Sequence, residues 1–340
     1  MPTPVITGVG ILSPFGIGRE IFFDGLKNAR SGIRSIASFD CRDFQSRVAG
    51  EVIGFHPEKY LSREDLRRVP RLVGLGVAAA QEAWEDAGVD VRGFSQDQQQ
   101  RTAVVLGTGA GGIDFAESQY FHYFRGEPRK ATPYAVSSSF VGMLSSELSI
   151  HFSLRGASHV ISTGCTSSSD AIGYAADMIR YAKADRVLTG GIEACITPAI
   201  VAGFERMKVV STGFNQTPER ASRPFNADRD GFVLSEGAWV FVMESEESAQ
   251  KRKCRIYGAV TGHASTCDAY HRVRMDPTGQ EPARAMQLAL QEAGLEKESI
   301  DYVNLHGTGT KHGDLYETRQ IKKRWRTKDS MRHKYAIVQA

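Results

Sequence analysis

Hydrophobic positions fall into two textures along this chain. Short β-rich runs recur, each followed by glycines and then by apolar residues at helical spacing: VITGVG at 5–10, TAVVLGTGAGG at 102–112, HVISTGC at 159–165 and RVLTGGIEA at 186–194. Strand and helix in alternation predict an α/β fold with largely buried strands. The clearest helix is LVGLGVAAAQEAWEDAG at 72–88, where Gly88 supplies the stop. From Arg255 the order restarts, with a strand in RIYGAVTGHAS, a helix in EPARAMQLALQEAGL ending at Gly294 and a strand in IDYVNLHGTGT. This is the pattern of a second copy of one unit. No Pro- or Ser-rich linker separates the halves, 1–250 and 251–340, so a shared core is expected.

Composition narrows the classes. At 340 residues and 41% hydrophobic content the chain can bury a large core, and a formal charge of +3 gives no argument for nucleic acid. The strongly basic segment is Arg319–Lys334, which sets Arg319, Lys322, Lys323, Arg324, Arg326, Lys328, Arg332 and Lys334 against Asp329; a run of this kind is ordinarily a solvated face. The five cysteines, Cys41, Cys165, Cys195, Cys254 and Cys267, have no CxxC spacing, so neither a disulfide scaffold nor a zinc site is indicated. No HExxH, GKS or GKT occurs, and no metal is expected. The chain goes from Met1 straight into MPTPVITGVG without a basic or apolar leader, and no run is long enough to cross a bilayer; a reducing, cytoplasmic setting without membrane insertion is the expectation.

Candidate chemistry lies in two stretches. In STGCTSSSDAIGYAADMIR at 162–180, Cys165 sits where a strand gives way to a helix, a position that lowers a thiol pKa because unpaired N–H groups carry partial positive charge. Gly164 permits a sharp elbow, the small neighbours Thr163, Thr166, Ser167 and Ser168 leave room for a substrate, and the Cys165 N–H can help hold an oxyanion. The bland alternative is one more buried cysteine, and a partner histidine decides between them. Of nine histidines, His306 in VNLHGTGT stands at a strand end among glycines and threonines, where a neutral imidazole can donate to a carbonyl. A third pattern, Gly107, Gly109 and Gly112 after TAVVL with Glu127 about twenty residues on, formally fits the dinucleotide fingerprint GxGxxG and on its own is weak.

Four motifs in order carry a resemblance: VITGVGILSPFG at 5–16, STGCTSSSDA at 162–171, ASRPFNADRDGFVLSEGA at 221–238 and VNLHGTGT at 303–310. Together they resemble a β-ketoacyl-[acyl-carrier-protein] synthase, over a span from the first residues to about Glu317. The resemblance implies the thiolase-like fold, a five-layered αβαβα arrangement of two similar halves, here with the second half incomplete, and treats the glycines at 107–112 as a turn. It implies a decarboxylative condensation of malonyl-carrier with an acyl group held on cysteine. Cys165 matches the nucleophile and His306 the first of two histidines that bind the malonyl thioester carbonyl. Phe232 matches a position lining the malonyl side, against plain core packing as the alternative; Thr308 and Thr310 fall to substrate binding. Asp268, Asp314 and Glu317 match supporting positions.

No bound cofactor is implied, since phosphopantetheine arrives on the acyl carrier protein. The implied partners are that carrier and a second synthase subunit, in a homodimer or in a heterodimer with a related synthase. The basic segment facing an acidic carrier is the alternative to its solvated-face reading. TSSSDAIGYA and CDAYHRVRMDP resemble polyketide and polyene synthases more than housekeeping fatty-acid enzymes. The family's later Lys/His motif and Gly-Phe-Gly-Gly loop do not occur; KDSMRHK at 328–334 comes too soon after His306, and YAIVQA at 335–340 reads as the strand leading into that motif. Condensation by the 340-residue chain as written is therefore expected to be severely impaired. An inactive synthase-like partner subunit is the alternative function, against which the intact Cys165 speaks.

Overall fold

The structure is a computed structural model and describes residues 1–325. Its strands are β1 (Pro4–Ser13), β2 (Gly16–Ile17), β3 (Arg34–Ser35), β4 (Val48–Ala49), β5 (Thr102–Gly107), β6 (Ser158–Ile161), β7 (Arg186–Glu193), β8 (Gly237–Ser245) and β9 (Gly258–Ala259). The helices are α1 (Arg19–Lys27), α2 (Arg71–Asp86), α3 (Gln96–Gln100), α4 (Ile113–Phe124), α5 (Met143–Phe152), α6 (Ser167–Arg180), α7 (Pro198–Met207), α8 (Glu246–Arg252), α9 (Gln280–Ala293) and α10 (Lys311–Trp325).

One mixed sheet dominates, in the order β2-β1-β8-β7-β5-β6 with β9 on the side of β1. β5 runs parallel to both β6 and β7, whereas β8 is antiparallel to both β7 and β1. Alternation along β5 assigns its faces. Val104 and Leu106 pack with Leu72, Leu75, Trp84, Leu144 and Leu148 of α2 and α5, while Ala103 and Val105 pack with Ala171, Ala175 and Ile179 of α6. Each fully buried Val, Leu or Ile among them contributes about 1.5–3 kcal/mol. Helix layers thus cover both faces, which is why β5 is buried at every position rather than at every second one.

The glycines of VITGVG lie inside β1 rather than after it. A Cβ at Gly10 would come within 1.8 Å of the Ala79 carbonyl oxygen and one at Gly8 within 2.1 Å of that of Ala83, so their absence lets α2 lie directly on the strand. Gly88 ends the α2 region at φ +63°, as its position predicts.

Past Arg255 the helix at 280–293 forms with Gly294 as its left-handed cap, but the two flanking strands need correction. Only Gly258–Ala259 of the RIYGAVTGHAS run is strand, paired with Val5 and Ile6, and the 301–310 run is irregular. A strand is defined by its ladder, and among the described residues the first run has β1 beside it only around Gly258–Ala259 and the second has no paired strand. The runs KDSMRHK and YAIVQA, and the basic segment beyond Trp325, lie outside the described residues. α6 is therefore covered on its outer side by the 258–266 segment and α9: a Cβ at Gly173 would meet the His263 ring, and Arg180 bonds Glu292.

Candidate active site

Cys165 stands on a single 3-10 turn, Gly164–Thr166, between β6 and α6. Gly164 has φ +70°, the left-handed backbone a side chain would resist. Two further glycines seat the turn. A Cβ at Gly107, the end of β5, would fall 2.4 Å from the Ser167 backbone, and one at Gly191 of β7 would fall 2.1 Å from Ser168 Oγ. The first turn of α6 thus presses onto the strand ends. Ser167 closes it locally, donating from Oγ to the Gly164 carbonyl at 2.6 Å and accepting the Thr163 N–H at 3.0 Å. The Cys165 side chain is left exposed.

His306 arrives from the 301–310 loop. Its imidazole lies beside Cys165, and this contact is the main cause that holds the thiol below its ordinary pKa; burial opposes it, the histidine's charge assists it and the nearby Glu193 works the other way. Reciprocally, the contact with Cys165 is the main cause raising His306, again against burial. Each group thus shifts toward the other's range, which raises the share of thiolate, the reactive form of the cysteine.

Carboxylates from α10 hold that loop. Glu317 accepts the His306 N–H at 2.6 Å with one oxygen and the Gly307 N–H at 2.9 Å with the other. Asp314, 1% exposed, accepts the Gly309 N–H at 3.0 Å and the Phe225 N–H at 2.6 Å, and pairs with Arg229 at 3.2 Å. Arg229 also donates to the Thr310 and Lys311 carbonyls, so the 223–232 stretch and the histidine loop are tied together.

Of the other predicted residues, Thr308 and Thr310 follow His306 with hydroxyls 3.0 Å apart, and Thr310 also accepts the Gly313 N–H. Phe232 is half-buried, its ring edge-on to Phe204 at 5.1 Å, next to Gly231, whose carbonyl oxygen a Cβ at Gly309 would meet at 2.9 Å. Asp268 accepts the Asp276 N–H at 2.9 Å across its own loop. Its described partner is thus a local backbone group, outside the Cys165–His306 pair.

The 107–112 glycine turn has an internal occupant that sequence reasoning missed. Glu193, at the end of β7, accepts the Gly109 N–H at 2.7 Å, the Ala110 N–H at 3.2 Å and the Thr108 hydroxyl at 3.2 Å. Donors that a dinucleotide fingerprint offers to pyrophosphate are thus spent on a carboxylate, and Glu127 pairs with Lys130 at 2.9 Å. Also missed were Asp170 and His263, which meet beneath the cysteine turn. Glu193 follows directly on a recognisable strand, whereas the Asp170–His263 pairing left no local signal. Among the described residues no three His, Cys, Asp or Glu side chains group to hold a metal, and no helix is long and apolar enough to cross a membrane.

An exposed cysteine on a strand-to-helix elbow, with an imidazole on its sulfur and helices on both faces of a mixed sheet, belongs to the class of acyl-transferring condensing enzymes. Comparison gives the family. The family models "Beta-ketoacyl synthase, N-terminal domain" and "Beta-ketoacyl synthase, C-terminal domain" match residues 3–249 and 257–339. The chain belongs to the beta-ketoacyl synthase family. It is 41% identical to the 3-oxoacyl-[acyl-carrier-protein] synthase 2 of Vibrio cholerae over 319 residues, 94% of this chain and 76% of that protein. Its fold is similar to the ishigamide ketosynthase/chain length factor, with TM-score 0.85 and 32% identity over 95% of this chain and 78% of that one. A type II PKS acyl-carrier protein in complex with its ketosynthase bound to the hexaketide is similar at TM-score 0.84 and 27% identity, covering 95% and 78%. The fold is thus thiolase-like.

Proposed function

We propose that Cys165 takes the acyl group from a phosphopantetheine thioester delivered by acyl carrier protein and that His306 serves both this transfer and the condensation that follows. The observation that carries the reading is the exposed Cys165 on its strand-to-helix turn, with His306 brought beside it by a loop that Glu317 pins. The Cys165 thiolate attacks the thioester carbonyl, and the oxyanion faces the N–H groups of the turn. Collapse expels the carrier's thiolate, which leaves as a thiol with the imidazolium proton. His306, now neutral, donates to the carbonyl of malonyl-carrier as CO2 departs. The enolate so formed attacks the Cys165 thioester, yielding β-ketoacyl-carrier and the thiolate again, and a proton from solvent restores the imidazolium.

Thr308 and Thr310, beside His306, are assigned to the pantetheine channel, and Phe232 to its malonyl side; Asp268 stays a loop-supporting residue. Asp314 and Glu317 act by holding the histidine loop. A second copy, or a related synthase, is proposed to cover the β6 edge of the sheet together with the apolar surface of Phe121, Phe124, Val136 and Phe140, each more than half exposed. The five free cysteines, one of them the nucleophile, fit a reducing cytoplasm.

Incubation with an acyl-carrier thioester, read by intact mass, tests the assignment. The expected result is one acyl adduct, absent from Cys165→Ala; an adduct that persists in the variant refutes it.

A further inference from the structure

Asp170 lies in the first turn of α6, one helical turn past the nucleophile, and its two oxygens do different things. Oδ2 accepts the hydroxyls of Thr163 at 2.6 Å and Thr166 at 3.0 Å, the residues that bracket the cysteine turn. Thr166 Oγ1 also lies 3.0 Å from Thr163 Oγ1, so the two hydroxyls and the carboxylate form one set beside Cys165. Oδ1 faces His263 Nε2 at 3.2 Å, and Ser265 lies beside the same carboxylate.

The partner segment is itself fixed. The His263 N–H donates to Glu292 of α9 at 2.8 Å, Arg180 at the far end of α6 reaches Glu292 at 2.5 Å and the Val260 carbonyl at 2.8 Å, and the His263 ring lies where a Cβ on Gly173 would be 2.2 Å away. Burial works against the Asp170 carboxylate, but donation from Thr163, Thr166 and Ser265 outweighs it and keeps the group below its ordinary pKa. It stays an acceptor at neutral pH, so the turn has a constant anchor.

We propose that Asp170 is the positioning residue for the nucleophile: one carboxylate bridges the Thr163–Cys165–Thr166 turn to His263 and Ser265, so that the 258–266 segment sets how Cys165 meets His306. The inference rests on Cys165 being the nucleophile. His306 and Cys165 come from different halves of the chain, and contact between them survives only if both halves are registered; Asp170 registers them beneath the turn, away from the substrate side.

The experiment measures two quantities on Asp170→Ala, Thr166→Val and His263→Ala: the rate of acyl-adduct formation and the pH midpoint of Cys165 alkylation by iodoacetamide, mapped by peptide mass. In Asp170→Ala the adduct rate falls on the order of 10–100-fold, as for a misplaced reacting group. The alkylation midpoint rises toward that of an ordinary thiol, because Cys165 moves off His306. Thr166→Val and His263→Ala keep the carboxylate and shift both readouts in the same direction by less. A folded Asp170→Ala with wild-type midpoint and rate overturns the proposal, even with a lowered melting temperature, since packing alone then explains the residue. Should Asp170→Ala not fold, unchanged midpoints in both other variants overturn it. If the wild-type chain takes up no acyl group while its Cys165 alkylates with a depressed midpoint, the nucleophile assignment fails and the positioning claim is still decided by the variants' midpoints.

Discussion

Cys165 and His306 reach one another from loops held in different ways. On the cysteine side the backbone is pressed into place: Gly107 and Gly191 have no Cβ because the first turn of α6 occupies that space. On the histidine side the loop is pinned by charge, with Glu317 on two N–H groups, and Asp314 on two more and on Arg229. The difference teaches that added volume is a threat particular to the cysteine turn, which Asp170 also anchors, whereas the histidine loop depends chiefly on its carboxylates.

Asp314→Ala breaks the charged side most. It leaves Arg229 without its buried partner and two N–H groups without an acceptor, and is expected to cost about 3–5 kcal/mol, read by denaturant unfolding; a melting curve like that of the wild type means the loop is held otherwise. Gly107→Ala attacks the packed side. Its added methyl needs the α6 turn to move, an overpacking cost of about 1–3 kcal/mol, and the expected sign is slower alkylation of Cys165 together with lower stability. Should Gly107→Ala behave as wild type, close approach is not what seats the turn.

The finest test shifts a pH midpoint at the meeting point of the two loops. His306 holds the thiol below its ordinary pKa, so alkylation rises with pH through that depressed value. Removing the imidazole in His306→Ala moves the midpoint up, and alkylation at neutral pH slows because less thiolate is present. A midpoint unmoved in the variant assigns the depression to the elbow alone.

The difference also governs what the sequence could tell. Elbows and glycine turns are written in consecutive residues, so Cys165 with Gly164, and the HGTGT loop after His306, could be found by inspection. Charged clamps are not contiguous. Glu193 reaches Gly109 across 84 positions, and His263 reaches Asp170 across 93, with nothing in either neighbourhood to announce the partner. The RIYGAVTGHAS and IDYVNLHGTGT runs have strand-like composition, yet a strand also needs a neighbour, which composition does not supply. In the first half the runs read as strands, β1, β5, β6 and β7, have partners there to complete them, while β8, which joins β1 to β7, carried no such reading.

That same pairing has a kinetic meaning. β5, β6 and β7 are nearer to one another in sequence than β1 is to β8, with α4, α5 and α6 between them, and can assemble by shorter closures, carrying the cysteine turn with them. β1 joins only through β8, where Thr7 meets Glu244 across 237 positions. Closing so long a loop raises contact order and slows the step. During refolding the nucleophile's elbow is therefore expected to take shape before β1 pairs with the far strand, an order that pulsed hydrogen exchange of the β1 and β6 amides would read.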